Sequence, residues 1–283
     1  MADIAVLGTG LLGSAIAEAA AGRGDAVTAW NRSPDKAKSL AGFGIRLAAT
    51  AADAVRGVQR VHLVVKDDAA VEEVVAAIRA SLPADAVIVD HSTTHPATTA
   101  ERMARFAKEG LRCLHCPVFM TPMAARGAQG SMLAAGPREV FDAVAGDLVR
   151  MTGRLEYLGE RGDAAAATKL FGNALILSLI GTMADMLSLA RATGIPGQDA
   201  IDVARLFDLN GMVATRGGNM AAGRFAPSFE LAMARKDLAL MLETAGSREL
   251  AVLPGLAARM DSLIAAGRGS DDVTSLASEA SPR

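Results

Sequence analysis

Apolar residues in the first half of the chain form short runs, separated by longer stretches in which apolar positions recur every three or four residues. The first four runs are Ile4–Leu7, Ala26–Trp30, Arg60–Val65 and Ala86–Asp90. Helical patterns lie between them, one over about 69–80, and another begins near Pro96. Strands that alternate with single helices need crossover connections, so the pattern predicts a mainly parallel sheet covered by helices on both faces.

The pattern changes near Gly159–Gly162, beyond which we expect no strand. One long helix is predicted from Ala164 to Thr193, because Gly194 followed by Pro196 is a helix stop signal. Three later runs would extend the sheet before this change: Leu111–Val118, Ser131–Ala135 and Leu155–Leu158.

Two domains are therefore expected, which also suits a chain of 283 residues. Residues 1–160 would form the α/β domain, and residues 161–283 an all-helical domain. Further helices fit 198–208, 231–244 and 254–266, and only Ser275–Arg283 has a composition biased enough for disorder.

The turn after the first run contains three glycines in a recognisable spacing, G-x-G-x-x-G. Gly8 permits a tight turn, Gly10 lets the backbone approach a pyrophosphate, and Gly13 lets the helix pack closely on the strand. The helix N-terminus adds free N–H groups and a positive dipole end. We therefore predict a dinucleotide site, against the alternative of a tight turn with no ligand. Its turn residues are Gly8, Thr9, Gly10, Leu11, Leu12 and Gly13.

The end of the second run favours NADPH over NADH. An NAD site usually has an acidic residue there, but this chain has Arg32, and no acid occurs before Asp35. An arginine suits a 2′-phosphate because its planar group offers a fork of donors. Asn31, Ser33 and Lys36 could add donors. The alternative is that Arg32 is a solvated loop cation.

Composition excludes several other classes of protein. The net charge is −2 with no long basic run, which argues against a nucleic-acid or anionic-membrane partner. Polar residues interrupt the most apolar stretch, Leu170–Leu189, so we expect a buried core or interface helix rather than a membrane span. The N-terminus is itself the first strand, which leaves no room for a signal peptide, and two cysteines make no disulfide framework. A reducing cytoplasm is expected.

Two further positions carry candidate chemistry. Ser92 and Thr93 follow a strand of the sheet, where a loop faces the nucleotide crevice, so they could bond the nicotinamide or a substrate oxygen. Alternatively, Asp90, Ser92 or Thr94 merely caps the next helix.

Lys169 lies early on the long helix among apolar residues, and desolvation would suit it to proton transfer. Asn173, four residues on, shares its face.

Cys113 and Cys116 form a C-x-x-C motif with His115 between them. They lie on an apparent strand and no second C-x-x-C exists, so we expect buried thiols and no metal.

Together with Lys236-Asp237-Leu238, these motifs resemble the β-hydroxyacid dehydrogenases, relatives of 3-hydroxyisobutyrate dehydrogenase and tartronate semialdehyde reductase, over nearly the whole chain. The resemblance implies a Rossmann-type doubly wound domain, followed by an all-α domain with a long interdomain helix. It implies an NAD(P)-dependent dehydrogenase or reductase acting on CH–OH, and a homodimer in which the long helix packs against its partner.

The resemblance also assigns roles to individual residues. Lys169 would be the general acid/base, and Asn173 would orient the substrate. Thr93 and Lys236 would lie near the nicotinamide and its ribose. Val65 and Lys66 would supply backbone contacts to the adenosine side.

One loop departs from the family pattern. The usual Ser-Gly-Gly, which grips a substrate carboxylate, is replaced within Phe119–Met123, and Pro122 also removes an N–H donor. Either the substrate is less polar than a short 3-hydroxy acid, or Arg126 supplies the missing charge. The predicted substrate residues are Phe119, Met120, Thr121 and Asn173. The alternative is that the apolar side chains pack under the sheet and touch no ligand.

The loop leaves three functions open. The leading prediction is hydride transfer between NADPH and a small carbonyl or hydroxy substrate. The second is reduction of an apolar imine, because the loop is similar to that of the imine reductases, although those enzymes usually have Asp or Tyr where this chain has Lys169. The third is an NADPH-binding protein without catalysis.

Overall fold

The protein is described by a computed structural model that covers residues 2–280. Its main feature is a six-stranded, all-parallel sheet in the order β3-β2-β1-β4-β5-β6, as the alternating pattern predicted. The strands are β1 Asp3–Leu7, β2 Ala26–Trp30, β3 Arg46–Leu47, β4 Arg60–Leu63, β5 Val87–Asp90 and β6 Arg112–His115.

The strand order reverses between β1 and β4, which is where doubly wound sheets bind their ligands. The register brings the carboxyl ends level, since Leu7 pairs with both Trp30 and Leu63, and Asp90 pairs with both Leu63 and His115. The loops after these strands therefore share one edge of the sheet.

Helices cover both faces of this sheet. Those of the first part of the chain are α1 Leu11–Gly22, α2 Ala51–Ala54, α3 Asp68–Ile78, α4 Pro96–Lys108, α5 Pro122–Arg126 and α6 Arg138–Leu148, with 3₁₀ turns at Pro34–Phe43 and Val149–Met151. Two buried apolar clusters result: Val6 and Val89 belong to the one beneath α1 and α6, and Leu63 and Ile88 to the one beneath α3 and α4.

The run 111–118 is not one strand, as predicted, but two. Pro117 lacks an N–H and has a fixed φ, so the ladder of β6 ends before it. The later runs form a second, three-stranded sheet rather than an extension of the first: β7 Val118–Phe119, β8 Ser131–Ala134 and β9 Arg154–Tyr157. A bridge of two backbone hydrogen bonds, each 3.0 Å, joins His115 to Ala135.

Helix α7 spans Ala164–Thr193, as predicted, and Gly194 follows it with φ of +72°. By contacts between residues, the chain divides into two compact units between Asn173 and Ala174, inside this helix. The described part of the second unit has no strand, only the isolated bridge Glu230–Asp272.

The second unit contains more helix than the sequence predicted. Its α-helices are α8 Gly197–Asp202, α9 Leu209–Met212, α10 Gly218–Ala221, α11 Leu231–Ala245 and α12 Leu253–Leu263, with 3₁₀ or π turns at Val203–Leu206, Val213–Gly217, Ile264–Arg268 and Val273–Ala277. The helical stretch 209–221 was missed because Gly211, Gly217 and Gly218 weaken the helical signal. Ser275 is fully buried, so disorder was a wrong prediction there; residues 281–283 of that segment lie outside the described residues.

Two buried aspartates anchor the second unit. Asp185 accepts hydrogen bonds from the backbone N–H groups of Ala251, Val252 and Leu253 and so ties α7 to the start of α12. Asp272 accepts from Ser228, Phe229 and Thr274. Burial opposes the charge of both carboxylates, but the backbone donors outweigh it and hold each pKa below its ordinary value.

The apolar side chains of α7 are mostly exposed, so the prediction of a buried core helix is wrong, while an interface helix stays a prediction. Leu175, Leu177 and Ile180 are 60%, 67% and 53% exposed. By length and composition alone α7 could cross a membrane, and one such helix is weak evidence for that.

Candidate functional site

Two of the three glycines in the turn after β1 are required by the protein's own packing. Gly8 has φ of +97°, and a Cβ there would lie 2.2 Å from the carbonyl oxygen of Val64. A Cβ on Gly13 would lie 1.9 Å from the carbonyl oxygen of Gly8. Both positions therefore exclude any side chain.

Gly10 is different, because no atom of residues 2–280 outside its own neighbourhood lies within 4 Å of where its Cβ would be. It caps α1 with extended backbone and no side-chain hydrogen bond, and Leu11 beside it is 83% exposed. The first-turn N–H groups thus face open space, which is the arrangement that binds a phosphate. The hydroxyl of Thr9 is buried without a hydrogen-bond partner among the described residues. Open space and an unpaired polar atom fit a bound dinucleotide.

Asn31, at the end of β2, holds this turn in place. Its side-chain oxygen accepts a hydrogen bond from the Thr9 N–H at 2.9 Å, and its amide group donates to the Ser33 carbonyl at 3.0 Å. Asn31 therefore links the end of β2 to the turn after β1, a structural role that sequence analysis did not assign to it.

A cavity of about 220 Å³ opens beside the turn and collects most of the predicted cofactor residues. Arg32 lines it and pairs with Glu73 on α3 at 3.5 Å, both side chains being well exposed. Glu73 was not predicted, because nothing in its local sequence marks it. The other lining residues are Gly8, Gly10, Trp30, Asn31, Ser33, Lys36, Val64, Val65, Lys66, Ala70 and Val74.

Ser92 fixes the loop after β5 to the segment that follows β4. The Ser92 hydroxyl accepts a hydrogen bond from the Val65 N–H at 3.1 Å, and its own N–H donates to Asp90 at 2.9 Å. Ser92 is buried and Thr93 is exposed, so only Thr93 presents its side chain outward. The alternative that Asp90, Ser92 or Thr94 caps α4 is wrong, because His95 occupies the N-cap position.

Beneath this loop lies a buried polar network. The Nδ1 of His91 bonds the Cys116 carbonyl at 2.8 Å, and its Nε2 lies 3.0 Å from Nδ1 of His62. A carbonyl only accepts, so His91 is protonated on Nδ1 and His62 on Nδ1 as well. Burial lowers the pKa of both imidazoles. Asp90 lies 3.3 Å from His115; burial opposes its charge, and this contact keeps its pKa low.

The C-x-x-C thiols lie apart in the core. Cys113 belongs to one buried apolar cluster and Cys116 to the other, and burial raises the pKa of both. The described residues contain no group of three or more His, Cys, Asp or Glu side chains that could hold a metal ion.

Lys169 is held at the start of α7 by the segment that departs from the family pattern. Its Nζ donates a hydrogen bond to the Val118 carbonyl at 2.8 Å and lies 4.1 Å from the centre of the Phe119 ring. Burial lowers the pKa of its ammonium group. Asn173, one turn later, is partly exposed.

Three residues of the loop have structural contacts, whereas Met123 is 81% exposed and does not pack under the sheet. Phe119 is partly buried against a small cluster formed by Leu133, Ala135 and Ala165. Met120 packs against the apolar cluster beneath α1 and α6. The Thr121 hydroxyl caps α5 by accepting from the Ala124 N–H at 3.1 Å. Arg126 donates to Glu18 at 2.6 Å, so its charge is already paired.

Lys236 lies on α11 in the second unit, where it pairs with its neighbour Asp237 at 3.1 Å. Its assignment to the nicotinamide stays a prediction.

Residues 3–159 match the family model of the NAD binding domain of 6-phosphogluconate dehydrogenase. The chain is 26% identical over 284 residues to 3-sulfolactaldehyde reductase of Escherichia coli (strain K12), which covers 96% of this chain and 93% of that protein. It is 29% identical over 243 residues to cytokine-like nuclear factor N-PAC of Homo sapiens, covering 84% of this chain. The chain spans 44% of the length of that protein.

The fold is similar to that of an imine reductase from Myxococcus stipitatus in complex with NADP+. The TM-score is 0.87 at 22% sequence identity, and the match covers 97% of this chain and 98% of that one.

Proposed function

Because this chain belongs to the family of the 6-phosphogluconate dehydrogenase NAD-binding domain, and with it to the β-hydroxyacid dehydrogenases, we propose that it is an NADPH-preferring reductase of a small carbonyl compound. The observation that carries the proposal is the state of Lys169. Its ammonium is half-buried beneath an aromatic ring and carries a lowered pKa. A lowered pKa makes the ammonium a better proton donor, which suits a general acid.

The glycine turn and its surroundings would hold the cofactor. The free N–H groups at the start of α1 suit the pyrophosphate, and the cations Arg32 and Lys36 suit a 2′-phosphate. The backbone of Val65 and Lys66 would meet the adenosine side, and Thr93 the nicotinamide side. A bound reduced nicotinamide would supply the hydride to the carbonyl carbon.

Lys169 would complete the reaction by giving its proton to the carbonyl oxygen. As the hydride forms a C–H bond, the electron pair of the C=O π bond moves to the oxygen and forms an O–H bond with the proton from Nζ. Nζ is left as a neutral amine, which takes up a proton from the solvent. In the reverse direction the neutral amine takes the hydroxyl proton. Asn173 and Thr93 would orient the substrate, since the reacting atoms must be closely aligned.

The substrate is expected to lack a carboxylate. Phe119 and Met120 stand where the family has small residues, and Arg126 is paired with Glu18 rather than free to bind an anion. Burying an unpaired carboxylate against such a surface would be costly. An aldehyde or ketone with an apolar substituent fits better than a short 3-hydroxy acid.

Imine reduction is the second candidate, and the apolar ring over Lys169 is the observation that favours it. The ammonium argues the other way, because a cation stabilises a developing alkoxide but repels an iminium ion. A non-catalytic NADPH-binding protein is the third candidate, and it predicts binding without turnover.

The exposed apolar surface of α7 supports a homodimer. Leu175, Leu177 and Ile180 point in different directions around the helix and are all more than half exposed, and a large exposed apolar surface marks an interaction site. We propose that a second copy of the chain covers it, and that the protein acts in the cytoplasm.

The test measures NADPH oxidation, or NADP+ reduction for the hydroxy acid, by the wild-type protein and by Lys169→Ala. Lys108→Ala, at an exposed lysine on α4, is the matched control. The panel contains hexanal, cyclohexanone, 3-hydroxyisobutyrate with NADP+, and 2-methyl-1-pyrroline. We expect turnover of the carbonyl compounds, a loss of about 10²–10⁴-fold in Lys169→Ala, and unchanged NADPH binding by fluorescence.

Each other outcome contradicts the proposal in a different way. Retained turnover in Lys169→Ala excludes Lys169 as the acid/base. Turnover of the imine alone supports the second candidate. NADPH binding without turnover of any panel member supports the third.

A further inference from the structure

The ammonium of Lys169 is confined on two sides by one short segment. The Val118 carbonyl accepts one of its N–H bonds at 2.8 Å, and the face of the Phe119 ring lies 4.1 Å from Nζ. Both residues belong to β7, whose pairing of Val118 with Met132 and Phe119 with Ser131 fixes their backbone. The carbonyl that accepts from the ammonium, and the Cα that carries the ring, are therefore fixed by the pairing of β7 with β8.

The ring can lie there only because α7 has a glycine at the next turn. A Cβ on Gly172 would be 2.2 Å from Cζ and 2.6 Å from Cε1 of Phe119. The ring thus occupies the space that a side chain at residue 172 would need. Gly172 stands inside a helix, where glycine is unfavourable, so its presence calls for a packing reason.

The contacts of Lys169 and its burial have opposite effects on the charge of its ammonium group. The ring and the carbonyl both place negative potential against the ammonium and favour its charged form, whereas exclusion of water disfavours the charged form. Burial is the cause of the lowered pKa of Lys169. Lys169 has no ion pair among the described residues, α7 has only Asp185 and Arg191 as its other charged side chains, and Arg126 of the adjoining α5 is bound to Glu18.

We propose that Phe119 is a positioning residue for Lys169: its ring, admitted by Gly172, presses the ammonium against the Val118 carbonyl and shields it from water. This rests on the proposed function, in which Lys169 is the acid/base. One N–H bond of Nζ goes to the carbonyl and one side of the group faces the ring. The remaining donor is directed to the substrate oxygen. The segment that replaced the family's anion-binding loop has thereby become part of the machinery that presents the proton.

The proposal is tested by titrating Lys169 directly, without reference to turnover. The intact protein is labelled with trace acetic anhydride across a pH series, and acetylation of the Lys169 peptide is measured by mass spectrometry against that of Lys108. The variants are Phe119→Ala and Phe119→Leu, each checked for folding by its melting temperature.

The variants are expected to shift the labelling midpoint in opposite directions. Phe119→Ala admits water, so the midpoint moves to higher pH and labelling becomes several-fold faster at a pH where Lys169 is neutral. Phe119→Leu keeps the cover but loses the ring's negative face, so the midpoint moves to lower pH. A ring with a merely structural role would leave both midpoints unchanged, which would overturn the proposal.

Gly172→Ala tests the same arrangement from the helix side. Alanine favours the helix, so the variant should fold, while its methyl group displaces the ring. Labelling of Lys169 should rise as in Phe119→Ala, and Gly172→Ala should add nothing in a Phe119→Ala background. Gly146→Ala, at a helical glycine with open space around it, is the matched control. Additive effects of the two substitutions would contradict the proposal.

The outcomes separate the positioning role from the proposed function. Unshifted midpoints together with loss of turnover in Lys169→Ala would reject the role of Phe119 and leave the function standing. Shifted midpoints in a protein that shows no turnover would reject the function and leave the placement of Lys169 by Phe119 standing.

Discussion

The side-chain oxygen of Asn31 accepts a hydrogen bond from the backbone N–H of Thr9 at 2.9 Å. This bond ties the end of β2 to the glycine turn that follows β1, the two segments that border the cofactor cavity. One residue thus shapes the turn and also lies beside the candidate 2′-phosphate site.

Asn31→Ala should weaken binding of both NADPH and NADH, because the turn loses its anchor. A loss of about tenfold in affinity is expected, the equivalent of one hydrogen bond. Asn31→Asp is the matched variant: it keeps an acceptor for Thr9 but adds a negative charge. It should weaken NADPH selectively, as measured by fluorescence titration with each cofactor. Equal losses for the two cofactors in Asn31→Asp would contradict a 2′-phosphate site here.

Gly10→Ala and Gly13→Ala should have contrasting effects. A methyl group at Gly10 enters open space, so stability should change by less than about 0.5 kcal/mol while NADPH affinity falls tenfold or more. A methyl group at Gly13 collides with the Gly8 carbonyl, so about 1–3 kcal/mol of stability should be lost. Urea unfolding and fluorescence titration measure the two properties separately. Normal NADPH binding by Gly10→Ala would show that this open space is not the pyrophosphate site.

Glu73→Gln should tighten NADPH binding. Arg32 pairs with Glu73 at 3.5 Å, and this exposed pair competes with a phosphate for the guanidinium. Neutralising Glu73 should raise NADPH affinity a few-fold and leave NADH unchanged, whereas Arg32→Ala should lower NADPH affinity about tenfold. Titrations at two salt concentrations check the electrostatic origin. If Arg32→Ala binds NADPH as tightly as the wild type does, Arg32 is a solvated loop cation.

Asp185→Asn should destabilise the second unit. The carboxylate accepts three backbone N–H bonds from the segment that leads into α12, and an amide replaces one of its acceptor oxygens with a donor. A loss of about 2–3 kcal/mol in the free energy of unfolding is expected. Glu249→Gln, an exposed acid close by in sequence, is the control and should change stability little.

The same variant has a pH signature. The folded-state pKa of Asp185 is held below its unfolded value, so its contribution to stability is complete above about pH 4 and is lost as the pH falls through the folded-state pKa. Asp185→Asn should therefore flatten the acid limb of the stability curve. An acid limb identical to that of the wild type would exclude a charged Asp185 in the fold.

His62 and His91 should make the fold sensitive to mild acid. Burial holds the folded-state pKa of both below the unfolded value of about 6.5. Stability is therefore complete above that pH and declines below it, since the unfolded chain takes up protons that the folded one refuses. Besides burial, the groups that act on His62 are Arg60, Arg23 and, when it is protonated, His91, and all three oppose the protonation of His62.

His62→Gln should reduce the slope of stability against pH between pH 5 and 6.5 by up to about 1.4 kcal/mol per pH unit. Urea unfolding at several pH values measures the slope. His95→Gln, at an exposed histidine, is the control. An unchanged slope in His62→Gln would mean that His62 is already protonated in the folded protein.

Most elements of the α/β domain follow from local sequence. The strand, glycine turn, helix and second strand of 3–30 are encoded within a few residues of where they form, and so is the stop of α7 at Gly194. The second sheet was missed because Pro117 lies inside an otherwise continuous apolar run, and the choice of β8 as the partner of β7 depends on pairing between distant residues.

Some residues of the candidate site can likewise be predicted from local sequence, and others cannot. The glycine turn and Arg32 are visible in the sequence, because phosphate binding needs particular residues at adjacent positions. Glu73, Gly172 and the anchoring role of Asn31 are not visible, because each acts through a residue that is distant along the chain.

The sequence by itself determined the order of most elements of the α/β domain and the dinucleotide turn, since these depend on backbone propensity and local spacing. It marked Lys169 as the candidate acid/base through the resemblance to a family. Only the tertiary structure decided what surrounds Lys169. Its partner Val118 is 51 residues away, and the Phe119 ring reaches it only through the space left at Gly172. Burial and hydrogen bonding of a charged group are properties of the packed fold, and no local pattern specifies them.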